Sequence, residues 1–411
     1  MDRYIEATDP LVIDRAEGAL LFDADGKSYI DANASWWVST LGHNHPRLVH
    51  ALVQQAERLC HTSLAGVTHE PAARLAEEMV AIAPPGLTRV FFSDDGSTAV
   101  EVAIKMAAQL WQNLGRPEKR RFVALDGAFH GETVGAASLG GVEVFRRPFA
   151  GVLFECLRAP IPRLGDAYGP VFEAIDRLLE ERASEIAAVV LEPLVQGAAG
   201  MRMYSEAYLQ AARRACTKHD VLLVIDEVFT GYGRVGPMWA CDRAGIAPDI
   251  LCTAKGFSGG MLPMAATLAT ERVFDAFRGA PDRAFFYGHS YGGNPLGAAI
   301  AREVLSVMRD EDVIARAAPK AARIAEAFRA MAAIPGVESA RSLGMIGALD
   351  LASGAGYLGG DGWRVFEEAR ARGVYLRPLG DVVYVAPPVN IADDLLDRLL
   401  DVVAESLRRA L

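Results

Sequence analysis

Only 6 of the 42 basic residues are lysines and the other 36 are arginines, so each lysine invites a chemical reason. Lys255 closes an apolar run in "DILCTAKGFSGG", where an unpaired cation is costly. Arginine cannot lose its proton in a protein, whereas a desolvated lysine can, and its free amine is a nucleophile. A structural salt bridge is the plainer alternative. Asp226 closes a second apolar run, "VLLVIDE", where a buried carboxylate needs a cationic partner. That partner is either an arginine such as Arg234 or the protonated ring nitrogen of a ligand.

Further polar or small residues end other apolar runs. "RVFFS" leads into Asp94-Asp95-Gly96-Ser97-Thr98, "RFVALD" into Phe129-His130-Gly131, and "AAVVL" ends at Glu192. Gly96-Ser97-Thr98 opens a helical pattern, and N–H groups at a helix start with two hydroxyls suit a phosphate if Asp94 and Asp95 point away. An ordinary N-cap is the alternative there. The stretch matches neither a nucleoside-triphosphate loop nor a dinucleotide fingerprint. An amine nucleophile, a carboxylate for a ring nitrogen, a phosphate cradle and Phe129 to stack on a ring together describe a site for pyridoxal 5'-phosphate (PLP).

These residues need a frame that aims them at one place. Short apolar runs alternate with helical spacing, as in "STAVEVAIKMAAQLW", where Val100, Ala103, Ala107 and Leu110 share a face. Continuous apolar strands between helices predict an α/β fold with a mostly parallel sheet covered on both sides. In such sheets ligands lie beyond the carboxyl ends of the strands, which is where the five signals fall. Residues 19–30 predict a hairpin around Asp25-Gly26. After about residue 315 the texture predicts a smaller α/β domain. The expected organisation is an N-terminal segment of that domain at 1–50, a large domain at 51–312 and the rest of the small domain at 313–411.

Composition narrows the class. The chain of 411 residues is 51% hydrophobic and 23% charged, which fits a compact protein rather than a disordered one. A net charge of −10 and no basic cluster beyond Lys119-Arg120-Arg121 argue against nucleic acid. No apolar run is long enough to span a bilayer, and the polar "MDRYIEATDP" start is unlike a secretory signal. Cys60, Cys156, Cys216, Cys241 and Cys252 are scattered, as expected of reduced thiols in a cytoplasmic protein. His43 and His45 in "HNHP" precede a helix start, and no metal is expected there.

The motifs "GHNHPRLVHAL", "FFSDDGSTAVEVAIKMA", "AFHGET", "LEPLVQGAAGM", "LVIDEVFTGYGRVG" with "PDILCTAKGFSGG", and "GHSYGGNPLGAAIA" resemble, in order and over nearly the whole chain, the class III PLP-dependent aminotransferases of fold type I. That fold implies a large domain with a mostly parallel seven-stranded sheet and a smaller α/β domain. "DANASWWVSTLGHNHP", "EPLVQGAAGMRMY" and "VYLRPLGDVVYVAPP" are most similar to the branch that aminates 8-amino-7-oxononanoate to 7,8-diaminononanoate in biotin synthesis. The resemblance implies S-adenosylmethionine or lysine as amino donor. Another ω-aminotransferase reaction, on a diamine or an ω-amino acid, is the alternative.

By resemblance, Lys255 bonds covalently to the cofactor and carries protons, and Asp226 binds the pyridine nitrogen. Val228 and Phe129 cover the ring's faces, Gly96 and Ser97 hold the phosphate, and Glu192 sits near the phenolic oxygen. His289, through its backbone, and Ser290 would serve the phosphate of the neighbouring subunit in a homodimer with shared sites. Trp36, Trp37, Phe129, Gly288 and Arg377 would line the substrate site, with Arg377 on the carboxylate. For the tryptophan pair a packing role is the alternative, and for Arg377 a pairing with Asp381. The sequence departs from the family in having Phe129 for a tyrosine, in lacking an N-terminal H-P-Y-T segment with its gating tyrosine, and in having "GHSYGGN" where donors of the S-adenosylmethionine type meet G-P-T.

Overall fold

The computed structural model describes residues 10–166, 168–352, 354 and 356–411. The N-terminal stretch read as unlike a secretory signal falls on residues 1–9, outside the described residues, apart from Pro10. Among the described residues no helix is long and apolar enough to cross a membrane. The chain divides into two compact units, one of Arg47–Ala318 and one of Pro319–Leu411 with the N-terminal residues up to Pro46.

The second unit begins with strands β1 (Ile13–Glu17), β2 (Leu20–Asp23) and β3 (Ser28–Asp31). The expected Asp-Gly hairpin joins β2 to β3, pairing Leu20 with Ile30. Gly26 takes φ +83, and the Asp23 carboxylate accepts from the N–H groups of Asp25 and Lys27 at 3.1 and 2.8 Å. The turn residues thus supply both the left-handed backbone and its hydrogen bonds.

In the larger unit β4 (Leu87–Ser93), β5 (Arg121–Leu125), β6 (Leu157–Ala159) and β7 (Ile186–Leu191) precede a two-stranded ribbon of β8 (Val195–Gln196) and β9 (Arg202–Met203). Strands β10 (Leu222–Asp226), β11 (Ile250–Thr253) and β12 (Ala265–Thr270) complete a seven-stranded sheet of order β4-β12-β11-β10-β7-β5-β6. Pairing is parallel from β11 to β6, and β12 runs antiparallel to both of its neighbours. The mostly parallel α/β sheet is the expected one. Every residue of β7 and β10 is buried, which is why these strands read as unbroken apolar runs. The helix Gly96–Asn113 buries the stripe of Val100, Ala103, Ala107 and Leu110.

The chain then returns to the smaller unit. There β13 (Val337–Leu343), β14 (Ile346–Leu351) and β16 (Val382–Val385) form an antiparallel sheet. Strand β15 (Val374–Tyr375) lies parallel to β3, pairing Tyr375 with Asp31. The last helix, Asp393–Ala410, buries Leu396, Leu399, Leu400, Val403 and Leu407, a 3.6-residue stripe.

Candidate active site

Strands β4, β5, β7, β10 and β11 point the same way, so Gly96, Phe129, Glu192, Asp226 and Lys255 all lie just beyond one edge of the sheet. At the end of β4, Asp95 caps the helix Gly96–Asn113. Its carboxylate accepts from the N–H of Thr98 at 2.9 Å, and the Asp95 N–H donates back to Thr98 Oγ1 at 2.9 Å. Asp94 is engaged elsewhere, with His289 Nδ1 donating to its carboxylate at 2.8 Å. Both acidic side chains that flank Gly96 are therefore committed to partners. The backbone crowds closely here. A Cβ on Gly96 would lie 2.7 Å from Val228 Cγ1, and one on Gly131, at φ +129, would collide with Ser97 Oγ. Only glycine lets Val228 and Ser97 approach this closely. Ser97 Oγ accepts from the N–H of Glu132 at 3.1 Å, which ties the helix start to the loop after β5.

Asp226 is buried, and its partner is a residue the sequence reading did not single out. His130, also buried, donates from Nδ1 to Asp226 Oδ2 at 2.7 Å, while the N–H of Val228 donates to Oδ1 at 3.0 Å. Holding Nδ1–H against the carboxylate fixes the ring's orientation. His130 Nε2 is buried without a hydrogen-bond partner. In the loop after β7, Glu192 is buried and accepts from the N–H of Phe129 at 2.9 Å and of Gly197 at 3.1 Å. Burial pushes its carboxyl up to about 7. The nearby Asp226 adds to the rise, and His130 and the two N–H donors oppose it.

Lys255 follows β11 at φ +49 and opens a short 3-10 turn, Lys255–Ser258. A left-handed backbone costs a non-glycine residue about 1–2 kcal/mol, and such strain gathers at functional positions. Desolvation lowers the pKa of its amine, against the opposing pull of Asp226 and Glu192. More free amine is therefore present near neutral pH than in an ordinary lysine. Phe129 meets Phe145 edge-on, with ring centroids 5.7 Å apart. Gly288, His289 and Ser290 line a cleft of about 750 Å³, together with Leu64, Thr68 and Phe92. Gly288 and Ser290 are exposed, and the His289 ring is held between Asp94 and the Tyr287 hydroxyl, 2.9 Å from Nε2.

In the smaller unit the two adjacent tryptophans part company. Trp36 is exposed and its indole lies over the Arg377 guanidinium, 4.1 Å from Cζ to the ring centroid. Trp37 is buried and packs at a tilt against Tyr384, with centroids 6.2 Å apart. Asn33, Ser35, Trp36, Tyr375, Arg377 and Tyr384 line a cavity of about 280 Å³. The backbone explains the parting. Ala34, Ser35, Trp36 and Trp37 have φ of 46, 47, 63 and 73°, a left-handed turn with no glycine in it. At about 1–2 kcal/mol per residue such a turn persists only where its surroundings hold it.

A helix start, a lysine with a depressed pKa and a buried carboxylate, all at one edge of a mostly parallel sheet, are the parts an aminotransferase uses. The chain belongs to the class-III aminotransferase family, whose family model matches residues 4–407. Among its relatives, the adenosylmethionine-8-amino-7-oxononanoate aminotransferase of Synechococcus elongatus is 45% identical over 409 residues, covering 98% of this chain and 96% of the relative. The crystal structure of the enzyme of that name from Methanocaldococcus jannaschii matches with a TM-score of 0.94 at 34% identity, over 100% of this chain and 95% of the other. An amine transaminase from an uncultivated Pseudomonas species, solved in its PLP-bound form, matches with a TM-score of 0.92 at 32% identity, over 98% and 96%.

Proposed function

We propose that this chain is a PLP-dependent aminotransferase that converts 8-amino-7-oxononanoate to 7,8-diaminononanoate. The observation that carries the substrate assignment is the pairing of Trp36 with Arg377 beside a small cavity, an apolar wall next to a guanidinium. The acceptor has the matching chemistry, an aliphatic chain that ends in a carboxylate. A guanidinium can grip that group with two parallel charge-assisted hydrogen bonds. The name carried by the relative at 45% identity supports the same assignment.

The residues at the sheet edge fit PLP. Asp94 is turned to His289, and the Asp95 cap takes the N–H of Thr98, which would leave the N–H groups of Gly96 and Ser97 at the helix start to a phosphate. When bound, PLP supplies a conjugated ring that accepts the electron pair left when a carbon beside nitrogen loses its proton. Gly96 and Ser97 would hold the phosphate, with Phe129 and Val228 on the two faces of the ring. Asp226, oriented by His130, would keep the ring nitrogen protonated. Glu192, whose carboxyl titrates near neutrality, would face the phenolic oxygen and could donate a hydrogen bond to it. Lys255 Nζ would bond to the cofactor at rest and, once released, move the proton to and from the carbon that carries the amino nitrogen. The reading includes a homodimer in which the exposed Gly288 and Ser290, with the His289 backbone, serve the partner's phosphate.

The amino donor is S-adenosylmethionine or lysine. The test is a donor screen on the purified holoenzyme with 8-amino-7-oxononanoate, reading the diamine by mass spectrometry. The diamine is expected with one of the two donors. Turnover confined to unrelated ω-amino acids or diamines would overturn the substrate assignment and leave the aminotransferase class intact.

A further inference from the structure

The left-handed turn at Ala34–Trp37 is held mainly by one side chain. Asp31, at the end of β3, is fully buried. Its Oδ2 accepts from the N–H of Ser35 at 2.7 Å and from His43 Nε2 at 2.9 Å, and its Oδ1 accepts from the N–H of Asn33 at 3.1 Å. Three donors on one carboxylate satisfy it in the interior, as a buried charge requires. Asn33 continues the chain of contacts, its Oδ1 accepting the backbone N–H of Arg377 at 2.6 Å. The far end is fixed as well. Backbone hydrogen bonds between His43 and Gly18 run both ways, at 2.7 and 3.0 Å. Asp31 therefore sits between the turn that carries Trp36 and the strand end that carries Arg377.

From this juxtaposition we propose that Asp31, braced by His43, is a positioning residue for carboxylate recognition. It holds Ser35 and Trp36 in a left-handed backbone that L-residues otherwise avoid. It thereby keeps the indole over the Arg377 guanidinium, so that the cation presents its planar edge to the acid instead of rotating into solvent. The residue types of the turn do not themselves favour this backbone, since it contains no glycine, asparagine or aspartate. The inference rests on the reading of Arg377 as the acceptor's carboxylate site.

The test compares 8-amino-7-oxononanoate with its methyl ester, which lacks the charge, as acceptors for the holoenzyme. The readout is the acid preference, the ratio of the two kcat/KM values. In Asp31→Asn the side-chain amide turns a donor toward donors and the clamp opens. The acid preference should fall roughly tenfold or more, mainly through KM for the acid, while the ester changes by less than about threefold. Adding Ser35→Gly to Asp31→Asn should recover part of the preference, because glycine takes the left-handed backbone without strain. Equal losses on acid and ester, with no recovery, would mean that Asp31 only stabilises the fold and would overturn the proposal. If Asp31→Asn does not fold, His43→Ala removes the brace with less disruption. It should lower the preference about threefold or more, and an unchanged preference would overturn the proposal. Arg377→Ala separates the two layers. If the acid preference survives that substitution, the carboxylate site itself is wrong. If it vanishes there yet survives Asp31→Asn, only the clamp is wrong.

Discussion

Glu192 offers a quantitative test of the electrostatics at the sheet edge. Its carboxyl is raised from an ordinary 4.5 to about 7, chiefly by burial. In the cofactor-free protein the folded state therefore binds more protons than the unfolded chain between those two values. Stability is full below about 4.5 and falls as pH rises through about 7. Between about pH 6 and about pH 8, a group that titrates near 7 only in the folded state sheds an integrated one pH unit of binding, or about 1.4 kcal/mol. Glu192→Gln cannot ionise, so this share of the pH dependence should vanish. Urea unfolding of cofactor-free wild type and Glu192→Gln at matched protein concentration, across that range, isolates the effect. Titrating groups remote from Glu192 cancel in the difference, and those coupled to it, His130, Asp226 and Lys255, do not. The wild type should lose about 1 kcal/mol more than the variant on going from acid to alkaline pH. Parallel profiles would show that Glu192 is ionised throughout, and with that its role as a hydrogen-bond donor to the phenolic oxygen would fall.

Other expectations follow from the same geometry. Lys255→Arg should abolish turnover, since arginine cannot form a covalent bond to the cofactor's aldehyde, and measurable steady-state turnover would refute the assignment. Asp226→Asn should cost several orders of magnitude in kcat in a protein that still folds by circular dichroism, because an amide cannot keep the ring nitrogen protonated. Gly131→Ala should weaken PLP binding at least about tenfold in an equilibrium titration, as its Cβ would collide with Ser97 Oγ where the helix begins. Mixing Lys255→Ala with Ser290→Ala subunits should regenerate activity in mixed dimers, and no recovery would place Ser290 outside the partner's site.

Much of the sheet edge was legible because its physics is simple. A strand buried on both faces reads as an unbroken apolar run, and a charged residue that ends it, such as Asp226 or Lys255, stands out. The acidic pair at Asp94 and Asp95 left the phosphate cradle ambiguous in sequence. The capping box and the His289 contact show only what the two carboxylates bind, and the second partner lies 195 residues away along the chain. For Asp226 the sequence offers Arg234 or a ligand's ring nitrogen as partner, and gives no sign of His130. Strands β5 and β10 flank β7, so the contact reaches across an intervening strand, which no local pattern reports. The tryptophans were equivalent in sequence, yet one is exposed and the other packs in the core. Four consecutive left-handed residues decide this, and backbone propensity argues against such a turn at every one of them. It becomes intelligible only with Asp31 beneath it.

Following nitrogen from donor to product is the decisive experiment on the proposed transamination. Holoenzyme is given 8-amino-7-oxononanoate with S-adenosylmethionine or lysine whose transferable amino group carries isotope-labelled nitrogen, and the product is read by mass spectrometry and NMR. The expected product is 7,8-diaminononanoate with the label at the former keto carbon and none on the neighbouring amine. An unlabelled product, a label on the neighbouring amine, or no diamine with either donor would contradict it.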